Sequence, residues 1–342
     1  MTTEQRTEIV LPGVVAPDGL RVRTSPAPVP AAGQVVIRME ATGVSFAEQQ
    51  MRRGRYYDQP PFPFVPGYDL VGIVEAVGAD ADSALIGQRV AALTKVGGWA
   101  SHVVVEAADV VPVPASLDPA EAETVVVNGI TAWQMLHRKA RIKSGQTILV
   151  HGANGGVGST LAQLARLAGV RVIGTASARN HDRLRDLGVA PIDYRADVPA
   201  AVREIAPGGV DAVFDHLGGD SVRASWRLLA PGGTLVAYGS ATTLDDTGSG
   251  QLPVFKILGR VWAWNALPNG RRAYFYNIWA GRGLAKRRFR DRLRHDLTQV
   301  LRAMADGHIT AQVADRFPLA QAADALRLAE SKTVTGKVIL TP

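Results

Sequence analysis

Three glycines spaced three residues apart, Gly152, Gly155 and Gly158, stand in the run Val150-His151-Gly152-Ala153-Asn154-Gly155-Gly156-Val157-Gly158. The chemistry that spacing permits is the binding of a pyrophosphate. The first glycine allows a tight turn with positive φ. The middle of the loop, Asn154 to Val157, lets backbone N–H groups reach a phosphate at a helix N-terminus. Gly158 lets the helix pack closely on its strand. A dinucleotide fold of this kind places an acid at the end of its second strand to hold the ribose 2′-hydroxyl. Here that strand ends Gly174-Thr175-Ala176-Ser177-Ala178-Arg179-Asn180, without an acid. Ser177 and Arg179 offer a 2′-phosphate hydrogen bonds instead, Arg179 with its charge. The expected cofactor is therefore NADPH, with Arg179 as an ordinary solvent-facing residue the alternative.

Other chemistry is bounded by what the chain lacks. It has no cysteine, which excludes disulfides, thiolate nucleophiles and thiolate zinc sites. Its seven histidines include no pair at the i,i+4 spacing of a helical metal site, so no metal ligand is expected. Asn128 precedes a helix on the cofactor side, where its amide donates to a carbonyl or bonds local backbone. Phe46, Tyr68 and Trp99 read as an apolar pocket wall or as core. An aromatic pocket with few titratable groups suits a small molecule with a conjugated carbonyl, whereas alcohol oxidation would need a metal or a base to take the hydroxyl proton.

The elements that must position these residues follow from the pattern. Short β-branched runs between glycine and proline turns, such as Val35–Arg38, Val71–Val77 and His102–Val105, make residues from about 8 to 118 all-β in texture. Asp118 with Glu121 starts a helix in the manner of a capping box. Strands at Thr147–Val150, Arg171–Thr175, Val210–Asp215 and Thr234–Tyr238 then alternate with helices at Val157–Ala168 and His181–Leu187. That alternation predicts a parallel, doubly wound α/β sheet. The last thirty or so residues return to short strands and a helix around Ala320–Glu330. Trp262, Trp264, Tyr274 and Phe275 fall in a stretch without clear periodicity; they would roof a site or form a subunit contact.

The net charge of +7 is concentrated. Arg271 to Arg294 holds nine Lys/Arg and one acid, a local sum of +8, so the remainder carries −1. A chain-wide nucleic-acid binder would not be charged in this way, and nucleic acid is disfavoured as a partner. The favoured reading of the run is a solvated face on a helix whose buried side is Phe289, Leu293, Leu297, Val300, Leu301 and Met304. An anionic substrate handle or an RNA contact is the sharper one. No apolar run reaches the ~20 residues of a membrane span, and no basic-then-apolar leader opens the chain, so a cytoplasmic location without membrane contact is expected.

Several segments together resemble a known family: Gly43-Val44-Ser45-Phe46-Ala47, Arg53-Gly54-Arg55-Tyr56, Pro66-Gly67-Tyr68-Asp69-Leu70-Val71-Gly72, Gly129-Ile130-Thr131-Ala132, the glycine loop, Asp215-His216-Leu217-Gly218-Gly219 and Gly336-Lys337-Val338. The chain resembles the medium-chain dehydrogenase/reductase superfamily over nearly its whole length, in its zinc-independent quinone oxidoreductase branch, near vesicle amine transport protein-like and enoyl reductase-like members. The resemblance implies a Rossmann domain plus a GroES-like β-barrel-type substrate domain, divided as 1–124, 125–271 and 272–342, the last returning to the first. It also implies a homodimer. The positions of the family's three catalytic zinc ligands look like Ser45, Tyr68 and Val127, a set that cannot make that site. Tyr194 and Lys332 match residues that contact a 2′-phosphate, and Thr131, Gly239 and Ser240 match residues near the nicotinamide. Where Asn180 stands, relatives often carry a lysine, for which Arg179 would substitute. Tyr56 matches a proton-donating tyrosine of enoyl-thioester reductases, with a place in the pocket wall as the alternative. The activity implied is reduction of a quinone, enone or enoyl thioester. The competing function is a cofactor-binding protein with little catalysis, acting through protein or RNA contacts.

Overall fold

Alternating β-branched residues in the first hundred positions form strands in the computed structural model, which describes residues 5–243, 251–331 and 333–342. It divides into two units: Met1–Ile130 with Ala280–Pro342, and Thr131–Trp279. The first stretch holds strands β1 (Gln5–Val10), β2 (Arg21–Pro26), β3 (Gln34–Val44), β4 (Asp69–Val77), β5 (Arg89–Leu93), β6 (His102–Glu106) and β7 (Val111–Pro112). Its helices are α1 (Phe46–Arg52), α2 (Pro119–Glu123) and the beginning of α3 (Val126–Trp133). The second unit holds β8 (Thr147–Val150), α4 (Gly156–Leu167), β9 (Arg171–Ala176), α5 (His181–Asp186), β10 (Val189–Asp193), α6 (Val198–Ile205), β11 (Val210–Asp215), α7 (Ser221–Arg227), β12 (Leu229–Ala237), α8 (Leu252–Asn265) and β13 (Arg272–Phe275). The chain then returns with α9 (Lys286–Ala305), β14 (Val313–Pro318), α10 (Ala322–Glu330) and β15 (Lys337–Thr341).

In the first unit, strands run in the order β14-β15-β3-β4-β5-β7, with β6 also on β3; only β14 and β15 are parallel. Two register shifts in β3 let its first half pair with β6 and its last residues with β15. Val35, Ile37 and Met39 alternate into a core with Leu70, Val74, Val90 and Trp99. Trp99 is therefore core rather than pocket wall. It is wholly buried, and its indole N–H donates to the Gly43 carbonyl at 2.9 Å. The all-β texture expected here is broken by α1, where Ser45 and Glu48 form a reciprocal capping box.

In the second unit all five strand pairs are parallel, in the order β10-β9-β8-β11-β12-β13. Counted within the unit this is 3-2-1-4-5-6, the doubly wound dinucleotide order, which reverses between β8 and β11. The stretch that shows no period in the sequence is ordered as α8 and the edge strand β13. Six of the nine basic residues of that run lie on α9, which begins at Lys286. Arg290 pairs there with Asp109 at 2.6 Å, Arg292 and Arg294 donate to the carbonyls of Ala280 and Ala108, and Lys286, Arg287 and Arg288 are exposed. Among the described residues no helix is long and apolar enough to cross a membrane.

Candidate active site

The crevice of a doubly wound sheet opens at the carboxyl ends of the strands where their order reverses. The glycine loop follows β8 and Asp215-His216-Leu217-Gly218 follows β11, so both lie at that point. Gly152 has φ +62°, and a Cβ on it would come within 2.4 Å of the His216 ring. A Cβ on Gly158 would lie 2.3 Å from the Gly152 carbonyl oxygen, so only glycine lets α4 start this close to the turn. Gly155 is the N-cap of α4 and has no side chain to cap it. The first-turn N–H groups after it, among half-exposed residues, carry the positive end of a 12-residue helix. Asn154 is half-exposed in the same loop.

Behind the loop lies a buried network that sequence reasoning did not identify. Thr175 Oγ1 accepts from Gly152 N–H at 3.1 Å and sits 3.3 Å from His151 Nδ1. His151 Nε2 is 3.1 Å from Ser225 Oγ, and Ser225 donates to Asp215 at 2.8 Å. Asp215 also accepts from the N–H groups of Leu217 and Gly218 and from Ser221. With Ser225 committed to Asp215 as donor, His151 Nε2 carries the proton and Nδ1 accepts from Thr175. Burial holds the His151 and His216 pKa values below the usual imidazole value, Asp215 opposing in each case. The only sequence signals were the positions of His151 and Asp215 beside the two glycine motifs.

The ribose end is built by the ends of β9 and β10. Ser177 Oγ accepts from the Asn180 amide at 3.0 Å, which leaves its own hydroxyl proton to donate. Arg179 lies on the single turn Ala178–Asn180. Tyr194 is exposed, its N–H held by the Ala176 carbonyl at 3.1 Å, with the Arg195 guanidinium stacked 4.9 Å from its ring centroid. Arg195 was not anticipated. Lys332 lies outside the described residues. Thr131 is buried on α3. Gly239 and Ser240 follow β12, and a Cβ on Gly239 would lie 2.7 Å from the His216 carbonyl oxygen, so these two loops meet backbone to backbone. An uncapped helix start, an acid-free strand end and nearby cations fit a dinucleotide bearing a 2′-phosphate.

The first unit holds a second constellation. Tyr56 and Tyr68 are buried with their hydroxyl oxygens 2.9 Å apart. Burial, then the neighbouring Tyr68 and Tyr57, pushes the Tyr56 pKa far above the usual phenol value, so it stays a neutral donor. Phe46, at the first position of α1, is partly exposed. Next to Tyr68, Asp69 receives both its oxygens' bonds from Lys337 Nζ, at 2.9 and 2.7 Å, and Lys337 also reaches Glu123 at 2.7 Å. All three are buried. Asp69 further accepts from Val127 N–H at 2.8 Å, and Ser45 bonds Glu48. Burial raises the pKa values of both Glu123 and Glu48, and the nearby Asp69 raises both further. Asn128 lies inside α3 rather than ahead of a helix, and its amide donates to the Thr124 carbonyl at 2.9 Å, the local backbone bond weighed for it. The three positions of the family's zinc ligands are thus committed elsewhere: Ser45 to the α1 cap, Tyr68 to Tyr56, and the Val127 backbone to Asp69. Among the described residues no group of three His, Asp or Glu side chains is placed to hold a metal.

Residues 31–115 match the family described as alcohol dehydrogenase GroES-like domain, and residues 187–340 match the one described as zinc-binding dehydrogenase. The chain is 34% identical over 347 residues to the rat synaptic vesicle membrane protein VAT-1 homolog, covering 98% of this chain and 83% of that protein. The chain belongs to the medium-chain dehydrogenase/reductase superfamily. Its place is the quinone oxidoreductase and VAT-1-like branch of this oxidoreductase family. A mycobacterial quinone oxidoreductase structure shares 30% identity with a TM-score of 0.81, covering 98% of this chain and 100% of that one. A mycobacterial structure complexed with NADPH shares 30% identity with a TM-score of 0.83 and the same coverage. One family description names zinc, and this chain's cysteine-free sequence offers no thiolate to hold one.

Proposed function

We propose that the chain is an NADPH-dependent, zinc-independent reductase of small molecules with a conjugated carbonyl: a quinone, an enone or an enoyl thioester. The observation that carries the cofactor is the uncapped start of α4 at the order reversal of a 3-2-1-4-5-6 sheet, beside a strand end with Ser177 and Arg179 and no acid. NADPH, when bound, supplies the hydride. The α4 N–H groups and the 152–158 loop bind its pyrophosphate. Ser177, Arg179 and Tyr194 bind the 2′-phosphate, with Lys332 a further candidate, and Thr131, Gly239 and Ser240 serve the nicotinamide end. The mycobacterial quinone oxidoreductase and the NADPH-complexed relative support this reading.

Tyr56 is the residue we assign to the developing oxyanion. Its hydroxyl lies 2.9 Å from that of Tyr68, and in the reaction we assign to it the Tyr56 O–H turns to donate to the substrate carbonyl while Tyr68 donates to its oxygen. Its raised pKa makes hydrogen bonding, rather than outright proton loss, its ordinary action. Reduction of an enone then places hydride on the β-carbon and a proton on the α-carbon; for a quinone the proton goes to oxygen. Asn128 has given one amide donor to Thr124, so its part in binding a carbonyl rests on the other. The reading includes a cytoplasmic location and a homodimer.

The test is consumption of NADPH and of NADH, with and without EDTA, on 1,4-benzoquinone, 9,10-phenanthrenequinone, an alkyl enone and crotonyl-CoA. NADPH-selective, EDTA-resistant turnover is expected on at least one. Tight NADPH binding without turnover on the whole panel would leave two readings, a reductase of a narrower substrate or a cofactor-binding protein with little catalysis.

A further inference from the structure

The buried phenol of Tyr56 has a second hydroxyl partner besides Tyr68. Tyr57 follows it in the chain, just beyond α1, and the turn there brings the two successive rings together. Their centroids are 4.9 Å apart and their planes 49°. The Tyr57 hydroxyl is hydrogen-bonded to that of Tyr56. The two partners of Tyr56 differ in where they stand. Tyr68 is 5% exposed and Tyr56 itself 6%. Tyr57 is half-buried, and beside it Asp58 is exposed and paired with Lys95. A row of phenols, Tyr68 to Tyr56 to Tyr57, thus runs from the interior of the first unit toward its surface.

We propose that Tyr57 is the relay that returns a proton to Tyr56 during turnover, acting on Tyr56 and not on the substrate. The inference rests on the reductase reading and deepens it by naming how a proton reaches the buried donor. Its ground is charge. Hydride transfer to a conjugated carbonyl leaves negative charge on the substrate oxygen. If the Tyr56 proton alone followed, that charge would pass to a buried phenolate. Burial and the two neighbouring phenols oppose that state. A proton passed in the same movement from Tyr57 to Tyr56 carries the charge one residue outward, to a side chain half open to solvent. Hydrogen-bonded hydroxyls in a row polarise one another, which favours concerted transfer.

Tyr57 fits the outer end of such a row. Burial raises its pKa, but the hydrogen bond with Tyr56 works in the opposite direction, so the cluster supports a transient phenolate there. The Asp58 carboxylate raises the pKa and keeps Tyr57 protonated between turnovers. Tyr68, as buried as Tyr56, gives the charge no such exit. With an enone, the β-carbon gains a hydride as NADPH becomes NADP⁺. The substrate oxygen takes the Tyr56 proton, Tyr56 takes the Tyr57 proton, and Tyr57 regains one from solvent. The enol then loses its oxygen proton and gains one at the α-carbon. In sum, enone, NADPH and one H⁺ become ketone and NADP⁺.

The test is single-turnover oxidation of bound NADPH by an alkyl enone or 9,10-phenanthrenequinone, followed by stopped flow in mixtures of H₂O and D₂O. A single turnover keeps product release out of the rate. The wild-type rate is expected to fall with deuterium fraction along a curve, the mark of two protons moving together. Tyr57→Phe is expected to slow the step about tenfold and to straighten that plot. Its NADPH affinity by fluorescence and its circular dichroism should be unchanged, and added imidazole should restore part of the rate. Tyr68→Phe, which removes the phenol at the buried end, is expected to slow the step and keep the curve. A Tyr57→Phe protein with full rate and a curved plot, beside a Tyr56→Phe protein slowed about 10²-fold, overturns the relay and leaves Tyr56 as donor. A Tyr56→Phe protein at full rate overturns donor and relay together. Failure of the reductase reading shows instead as a wild type that oxidises no NADPH with either acceptor.

Discussion

Replacing Lys337 by methionine removes the one cation from a cluster that holds Asp69, Glu123 and, nearby, Glu48, all buried. The ammonium lies within hydrogen-bond distance of both Asp69 oxygens and of one Glu123 oxygen. Its pKa is raised above the ordinary lysine value: burial opposes the charge, and Asp69 and Glu123 outweigh burial. Breaking one partner out of a buried pair costs about 3–5 kcal/mol, because the remaining charge is left without compensation. At about 2–4 °C per kcal/mol for a unit of this size, Lys337→Met should lower the first unit's thermal transition by roughly 6–20 °C at pH 7.5. The sign with pH follows. In the wild type, a lysine raised in the fold gives stability that is complete below its unfolded value of about 10.4 and lost as pH rises through the folded one. In the variant, protonating the buried acids removes the uncompensated charge, so the deficit against wild type should shrink on acidification from pH 7.5 to 5. Calorimetry across that range is the assay, and Lys337→Met with Asp69→Asn should recover much of the loss. A transition within 2 °C of wild type, or a deficit independent of pH, would refute the assignment of this cluster as an obligatory ion pair. Gly43→Ala is an independent check, since its Cβ would lie 2.2 Å from Lys337 Cε and 2.6 Å from Glu123 Oε1.

Three further outcomes are expected. Arg179→Ala should raise the Michaelis constant for NADPH by about tenfold or more and leave that for NADH nearly unchanged, because one charge-assisted bond is worth ~1.5–3 kcal/mol; equal changes would remove Arg179 from the phosphate site. Tyr56→Phe should lower the turnover number about 10²-fold, and Tyr68→Phe should lower it by less; a Tyr56→Phe enzyme at full turnover would return Tyr56 to the pocket wall. Because burial lowers the His151 and His216 pKa values, their stabilising effect is present above the unfolded imidazole value of about 6.5 and is lost as pH falls through the folded values. NADPH affinity and the second unit's thermal transition should therefore both decline between pH 7 and 5.5, less steeply in His151→Asn; flat titrations of the wild type would contradict the neutral His151 network.

What was legible in the sequence was local. The glycine loop, the acid-free end of β9 and the alternation from β8 to β12 each declare themselves within a few residues, and the sheet order follows. The α8–β13 segment was not legible because periodicity needs contrast. A helix with Trp262 outward and Trp264 inward has apolar residues on both faces and no 3.6-residue signal. Asn128 was misplaced for a related reason, since a helix that begins at Val126 without a capping residue gives no start signal. Lys337 was noticed only as part of a motif. Its partners lie 268 and 214 residues away in the chain, and no local rule pairs residues at that distance.

The same cluster constrains the chemistry. The resemblance puts zinc ligands in relatives where this chain has Ser45, Tyr68 and Val127, and here each is tied into a network with a buried carboxyl or a buried phenol. Positive charge is still present close to those positions, on Lys337. That ammonium is buried and paired with Asp69 and Glu123, however, so it is not presented to a substrate oxygen. Its effect is to fix the backbone on either side: Asp69 holds Val127 N–H at the start of α3, and the residue before Asp69 is Tyr68. The proposed oxyanion donor in this unit is the Tyr56–Tyr68 pair, whose hydroxyl oxygens lie 2.9 Å apart and which carries no charge of its own to be neutralised. A reductase built this way should tolerate chelators, and it should lose more from removal of one phenol oxygen than from any change to the charge on its substrate-facing surface.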